Sequence, residues 1–529
     1  MTTTPGLDVV TLLPALIPLA GVVIVLVADL VVPRFRGFPY ALAALASLGA
    51  AGAAVPGVVG GAGAVRETFC MTGGWFAFGP GPGAPSYSQA QAATECLWRA
   101  GTLGSSLQLG AGLAAAVCLA LAWPSVRGRS AEVSREPVEA VLFLTALTGT
   151  VVVAASRDLG TWLVALELAT LPVIALVALS GTRAALAGAM QLLVTSLVSF
   201  ALLAVGAALW FLATGAPFFS RDAALAAGHV SQGGTALAAG QQPSVALLSL
   251  SLVLILAGLG FKLSLVPFHA WTPTAYACST PAVATFLATV SKVGALAALL
   301  VVVQALAALS TPGLIAVAVL AAASMTLGNL MALRQDDVVR LLAWSTVAQA
   351  GWVVLPLVSV SPLGQRSAAI YLLTYVAATL VAFAVVARTV REVGSRGLST
   401  AAYGGLWKRS PWRAGALALA LTSLAGLPPG VIGLVGKVVA LRPVIVEGWV
   451  WLAVIAAGNA VLGVAVYLRW LRPVVNPSEA EAAAAGEPAG PGVSPTGRRL
   501  AITMALVGSA LVLLVVSVQP QLLLGLFGS

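Results

Sequence analysis

The chain has 529 residues, of which 60% are hydrophobic and only 8% charged, and its mean hydropathy is +1.01. A soluble protein of this length needs far more charge to clothe its surface, so composition excludes that class. The net charge of +10 comes from arginines scattered in ones and twos; with no basic tract or aromatic–basic interleaving to grip phosphates, no nucleic-acid partner is expected.

Apolar runs of about 18 residues or more recur from end to end, each long enough to cross a hydrocarbon core of roughly 30 Å. They predict an all-α polytopic membrane protein with about fourteen transmembrane helices. The spans fall near 10–32, 38–60, 103–123, 137–155, 159–180, 185–213, 244–268, 280–305, 312–332, 337–359, 367–388, 412–443, 448–471 and 500–520. The first 33 residues lack Lys and Arg, and Arg34 and Arg36 follow the first run. That pattern reads as a retained helix with its amino end outside rather than a cleaved signal peptide.

Between the spans, residues 61–101 form an outer loop rich in Gly, Pro and Ser. It holds Cys70 and Cys96, whose pairing is permitted in an oxidising compartment but left open by sequence. Cys118 and Cys278 read as small core residues. Segment 215–243 is mixed and contains His229, to which no role is assigned; 476–499 is an Ala/Glu/Gly/Pro linker expected to be disordered. The expected organisation is three amino-terminal helices in 1–136, five-helix units in 137–305 and 312–472, a polar linker in 473–499 and a last helix in 500–529. No Cys-x-x-Cys or strand–glycine-loop–helix unit is present to hold a cluster or a nucleotide, and with His229 and His269 as its only histidines the chain is not expected to ligate a haem.

Orientation follows from counting basic residues. With the amino end outside, the inner loops hold Arg34, Arg36, Arg127, Arg129, Arg135, Arg183, Arg334, Arg340, Arg388, Arg391, Arg396, Lys408, Arg409, Arg413, Arg469, Arg472, Arg498 and Arg499, eighteen in all. The outer side holds six: Arg66, Arg99, Arg157, Arg221, Arg366 and Arg442. The threefold excess predicts both termini outside. The remaining three of the 27 basic residues are Lys262, Lys292 and Lys437, all within predicted spans; the chain has only one other lysine.

A lysine at the bilayer centre costs roughly 2.5–3.5 kcal/mol, and Glu167 adds a fourth buried charge. Glu167 lies about eight residues, roughly 12 Å, into its helix, too deep for easy snorkelling. Burial disfavours the charged amine and a nearby carboxylate favours it, so a lysine held between those pulls can gain and release a proton. Arginine cannot. Three interior lysines and no interior arginine therefore point to a proton relay. Metal-cation selection would favour rings of carboxylates or carbonyls instead.

Lys262 precedes Pro267, and Lys437 follows the break Gly426–Leu427–Pro428–Pro429–Gly430. Proline frees carbonyls, which survive in lipid only against protein or a wet cavity. The broken helices are the seventh and twelfth, five apart. Five is odd, so repeats of helices 4–8 and 9–13 would be inverted relative to one another. His269, two turns beyond Lys262, is a candidate relay between Lys262 and Lys292.

The stretch FKLSLVPFHAWTPTAYACSTPAVATFLATVSK (261–292) resembles the subunit N family of the proton-pumping NADH:quinone oxidoreductase, respiratory complex I. DLGTWLVALELATLP (158–172), ALRQDDVVRLLAWSTVAQAGW (332–352) and SLAGLPPGVIGLVGK (423–437) support it, and the resemblance runs from about residue 137 to 472. It implies fourteen helices, the inverted repeats and a central polar axis. It also implies that Glu167 pairs with Lys262, that Lys292 continues the axis and that Lys437 stands beside the outer half-channel. NADH, FMN, iron–sulfur clusters and quinone belong on partner subunits, leaving proton transfer but no redox chemistry here. The implied setting is the bacterial inner membrane among neighbouring antiporter-like and small membrane subunits. Gln191, Thr274, Gln349 and Ala15 stand where the family commonly has Lys, an acid, His and Glu. The alternative is a subunit of a multisubunit cation/proton antiporter, whose general pattern is shared.

Overall fold

The computed structural model describes residues 7–31, 37–60, 65–71, 95–123, 135–219, 245–303, 305–308, 311–477 and 497–527. Expectations for His229 and for most of the 476–499 linker fall outside these residues.

Helices dominate. They are α1 (Val9–Val31), α2 (Phe38–Val59), α3 (Thr102–Ala122), α4 (Glu136–Val153), α5 (Leu159–Ala178) and α6 (Arg183–Thr214). The chain continues through α7 (Val245–Leu263), the short α8 (Trp271–Ala277), α9 (Pro281–Ala288), α10 (Val290–Val303), α11 (Thr311–Ala332), α12 (Val338–Val354) and α13 (Pro362–Val393). It closes with α14 (Pro411–Ala425), α15 (Val431–Val446), α16 (Val450–Val475) and α17 (Gly497–Val518). Among the described residues thirteen helical segments are long and apolar enough to cross a membrane, with α9 and α10 together making one of them. The fourteenth expected span is the pair α14 and α15. At 15 and 16 residues, each reaches only about 23 Å, too short to cross a hydrocarbon core of roughly 30 Å alone.

Local sequence explains the ends. Asp158 caps α5 by accepting from the amide of Thr161 at 2.7 Å, Asp337 caps α12 with two bonds of 2.8 Å, and Thr280 caps α9. Segment 264–270 breaks α7 from α8 around Pro267. The eighth span carries a further interruption at Thr289, with neither Pro nor Gly to announce it. Thr289 has φ −120° and ψ −79°, and its hydroxyl donates to the Thr285 carbonyl at 2.7 Å.

The loop expected at 61–101 contains regular structure that its composition does not suggest. Strands β1 (Arg66–Met71) and β2 (Glu95–Ala100) pair antiparallel with Cys70 opposite Cys96, and a disulfide joins the two. The fold is otherwise all-α. Cys118 is buried and Cys278 partly so, both free.

The core runs through α9, α10, α12 and α13, which are buried almost all round. By contrast α1, α6, α16 and α17 show protein on one side only. Their outer faces carry large apolar side chains in the open, such as Leu212 at 70% and Val461 at 71% exposure, as a lipid-facing belt requires. The chain is a multi-pass membrane protein, and three of the four core segments contribute side chains to a polar interior.

Candidate functional site

The break after α7 creates the first half of the site. Val266 would normally donate its amide to the Lys262 carbonyl one turn back; it donates instead to Ser324 Oγ at 2.9 Å. The Lys262 carbonyl, so released, accepts from Lys292 Nζ at 3.0 Å. Ser264, in the left-handed region at φ 66°, turns its hydroxyl to the same amine at 2.6 Å and accepts from Thr272 Oγ1 at 2.6 Å. Few non-glycine residues adopt that backbone, and here it aims Ser264 at Lys292. Trp271 covers the amine with its ring centroid 4.8 Å away.

Lys262 faces the other way. Its Nζ lies 2.9 Å from Glu167 Oε1 on α5 and donates to Thr170 Oγ1 at 3.0 Å. The two charged side chains are 7% and 15% exposed, too little for either to be left without its partner. Beside them a cavity of about 30 Å³, lined by Thr170, Thr195, Ser196, Ser199, Lys262 and Ser291, has room for about one water. Ser196 Oγ is buried there without a hydrogen-bond partner among the described residues.

The second half repeats the device with other atoms. Pro429 has no amide to offer the Ala425 carbonyl one turn back, and that carbonyl accepts from Lys437 Nζ at 2.6 Å. Trp352 lies under the amine at 5.4 Å. Gly426 makes the turn at φ 82°; a Cβ there would also meet Lys437 Cδ at 3.1 Å, so both the backbone and the close approach require glycine. Unlike Lys262, Lys437 has no carboxylate within ion-pair distance among the described residues.

A hydroxyl-rich cluster occupies the core between these regions. Tyr371, stacked on Trp352 at 5.7 Å, donates to Gln349 Oε1. Gln349 Nε2 donates to Tyr467 Oη at 2.9 Å, and Tyr467 meets Ser345 Oγ at 2.6 Å. Thr346 and Tyr375 share a hydroxyl bond of 2.9 Å. Gln349, flagged in the sequence only as a departure, is thus a hub of neutral bonds.

Of the five candidates read from sequence, the structure brings Glu167, Lys262 and Lys292 into one contact chain and sets Lys437 at the second break. His269 takes a different place: its ring packs on Trp344 of α12 at 5.2 Å, and its Nδ1 is buried with no hydrogen-bond partner among the described residues. The two lysines meet through the Lys262 carbonyl, without the imidazole between them. Gln191 donates to the Ala270 carbonyl at 3.3 Å. Sequence reasoning missed Thr170, Ser264, Tyr371, Tyr375 and Tyr467.

The family described as NADH:quinone oxidoreductase/Mrp antiporter, transmembrane, matches residues 156–463, a stretch that holds all five candidates. NADH-quinone oxidoreductase subunit N of Salinispora tropica is 37% identical over 495 residues, covering 89% of this chain and 87% of that one. The chain belongs to the subunit N family of NADH-quinone oxidoreductase. The motif resemblance in 261–292 is therefore borne out, and this member of the family is an antiporter-like membrane component of complex I. The solved respiratory complex I from Thermus thermophilus with bound aureothin contains a chain that matches with a TM-score of 0.71 at 28% identity, over 97% of this chain and 98% of that one. A chain of the Mrp complex from Dietzia sp. shares the fold, with a TM-score of 0.72 at 22% identity over 98% and 96%.

Proposed function

We propose that this subunit carries protons across the bacterial inner membrane, driven by quinone reduction in partner subunits, through a relay of Glu167, Lys262, Lys292 and Lys437. The observation that carries the reading is the Glu167–Lys262 ion pair at 2.9 Å, with Lys292 bound to the Lys262 carbonyl at 3.0 Å. Two amines and a carboxylate in such contact couple electrostatically in an interior of low dielectric constant. Drawing Glu167 away from Lys262 leaves a buried ammonium uncompensated, at a cost of several kcal/mol, and pushes its proton onward. The small cavity beside Lys262 supports access for a water. His269, between α7 and α8 and against α12, is the candidate link toward the hydroxyl cluster and Lys437.

On this reading the chain does no redox chemistry itself: it is the non-redox part of an H⁺-translocating oxidoreductase. NADH, FMN, iron–sulfur clusters and quinone sit on its partners. Neighbouring antiporter-like and small membrane subunits and the bilayer surround it, and the arginine asymmetry supports both termini on the outer side. The antiporter alternative draws on a likeness to the Mrp complex at 22% identity, which speaks to fold alone. The test is to place Lys262→Ala and Glu167→Ala in the assembled complex. Both are expected to assemble while coupled pumping and quinone reductase turnover fall by roughly tenfold or more. Normal rates and proton yield in both variants would contradict the relay.

A further inference from the structure

The end of the bundle that carries the β-hairpin encloses a second cavity, of about 440 Å³, outside the relay. Three arginines line it, Arg99, Arg157 and Arg366, against one carboxylate, Glu67. Glu67 is committed to Arg99 at 3.0 Å. Arg157 and Arg366 enter none of the ion pairs formed among the described residues, and Arg157 Nε is buried without a hydrogen-bond partner. Arg157 is half-buried as a whole, but a guanidinium nitrogen buried without a partner is costly and has no packing purpose. Burial, reinforced by the charge of Arg99 and opposed by Glu67, pushes Arg157 down to about 10. At neutral pH it still carries its charge, and among the described residues no carboxylate forms an ion pair with it.

The rest of the lining gives the occupant its shape. Gly101, Thr102, Leu103 and Gly104 bring the start of α3 to the wall, where Gly101 provides no side-chain cap and the positive end of the helix dipole favours an anion. Leu107, Leu300 and Phe219 line the same space, adding apolar walls to a rim of arginine. The cavity lies at the ends of membrane-spanning segments, where α3 and α13 begin and α4 and α10 finish. A cationic rim over apolar walls fits a molecule with a phosphate at one end and hydrocarbon at the other.

We propose that this cavity binds a phosphate-bearing anion through Arg157 and Arg366, the headgroup of an anionic phospholipid being the source that its apolar walls favour. None of these residues belongs to the relay, so the proposal stands or falls apart from the proton-transfer reading. It is tested on the intact complex, purified in detergent and weighed by native mass spectrometry, as wild type, Arg366→Gln and Arg157→Gln. Wild type is expected to retain a phospholipid on this subunit, which each variant holds roughly tenfold less well. Vesicles of phosphatidylglycerol should restore the adduct in wild type, whereas vesicles of phosphatidylcholine should not. If inorganic phosphate raises the thermal midpoint of wild type but not of the variants, and no lipid is retained, the site is upheld with free phosphate as its source. Should Arg157→Gln fail to assemble, Arg366→Gln, half-buried at the rim, decides the question. Equal lipid retention and an equal response to phosphate in wild type and Arg366→Gln would overturn the proposal.

Discussion

The broken helix at Lys262 and the broken helix at Lys437 solve one problem with different chemistry. Each interruption strips a backbone carbonyl of its amide partner, and each gives that carbonyl to a lysine lying near a tryptophan face: Lys292 at the first, Lys437 at the second. The first region adds a carboxylate, so that Glu167 and Lys262 form a pair that can separate. Among the described residues the second has no carboxylate paired to its lysine, which meets a carbonyl and an indole, with the Gln349–tyrosine cluster in the same core. A region holding a separable ion pair can store a change of charge. A region of neutral acceptors can only pass a proton along or hold it. The comparison assigns switching to the Lys262 end and transfer to the Lys437 end.

The comparison can be broken most forcefully at Glu167. Glu167→Ala strands Lys262 in the interior, and loss of one partner of a buried pair costs about 3–5 kcal/mol. Lys437→Met strands only the Ala425 carbonyl, at about 1–3 kcal/mol. Thermal denaturation of the assembled complex should therefore show the larger drop in midpoint for Glu167→Ala; equal drops would erase the distinction.

Gln349→Leu sharpens the picture of the neutral side. It removes one partner each from Tyr371 and Tyr467, buried hydroxyls whose loss of bonding costs about 1–3 kcal/mol. Pumping should fall in this variant while the redox reaction of the partner subunits proceeds with an artificial acceptor that bypasses the quinone. Unchanged pumping would remove the hydroxyl cluster from the path. The smallest effect is expected at Gly426. Gly426→Ala puts a side chain at φ 82°, costing about 1–2 kcal/mol, and crowds Lys437; hydrogen exchange at the α14–α15 break should rise locally and leave the amides of α7 unaffected.

How legible all this was in sequence depended on the kind of residue. A charge inside an apolar run has no structural excuse, so Glu167, Lys262, Lys292 and Lys437 were visible at once. Hydroxyls carry no such signal. Many of the described ones simply bond the carbonyl one turn back, as Thr145, Thr148 and Thr150 do, and nothing local distinguishes Thr170 or Ser264 from them. The break at Gly426–Gly430 was announced by its prolines, whereas the interruption at Thr289, one turn before Lys292, was silent because threonine is ordinary in helices. The hairpin of β1 and β2 was hidden by the Gly/Pro-rich composition of the loop around it. Cys70 and Cys96 named both partners of the bridge, but only strand register put them opposite each other.

The most direct test of the central claim separates charge from proton exchange. Arginine at position 262 keeps a positive group beside Glu167 but does not release its proton at physiological pH. Protons moved per electron pair should be measured for Lys262→Arg in sealed vesicles of the assembled complex. The relay predicts a ratio as low as that of Lys262→Ala; a ratio equal to wild type would show that charge alone suffices and that Lys262 carries no proton.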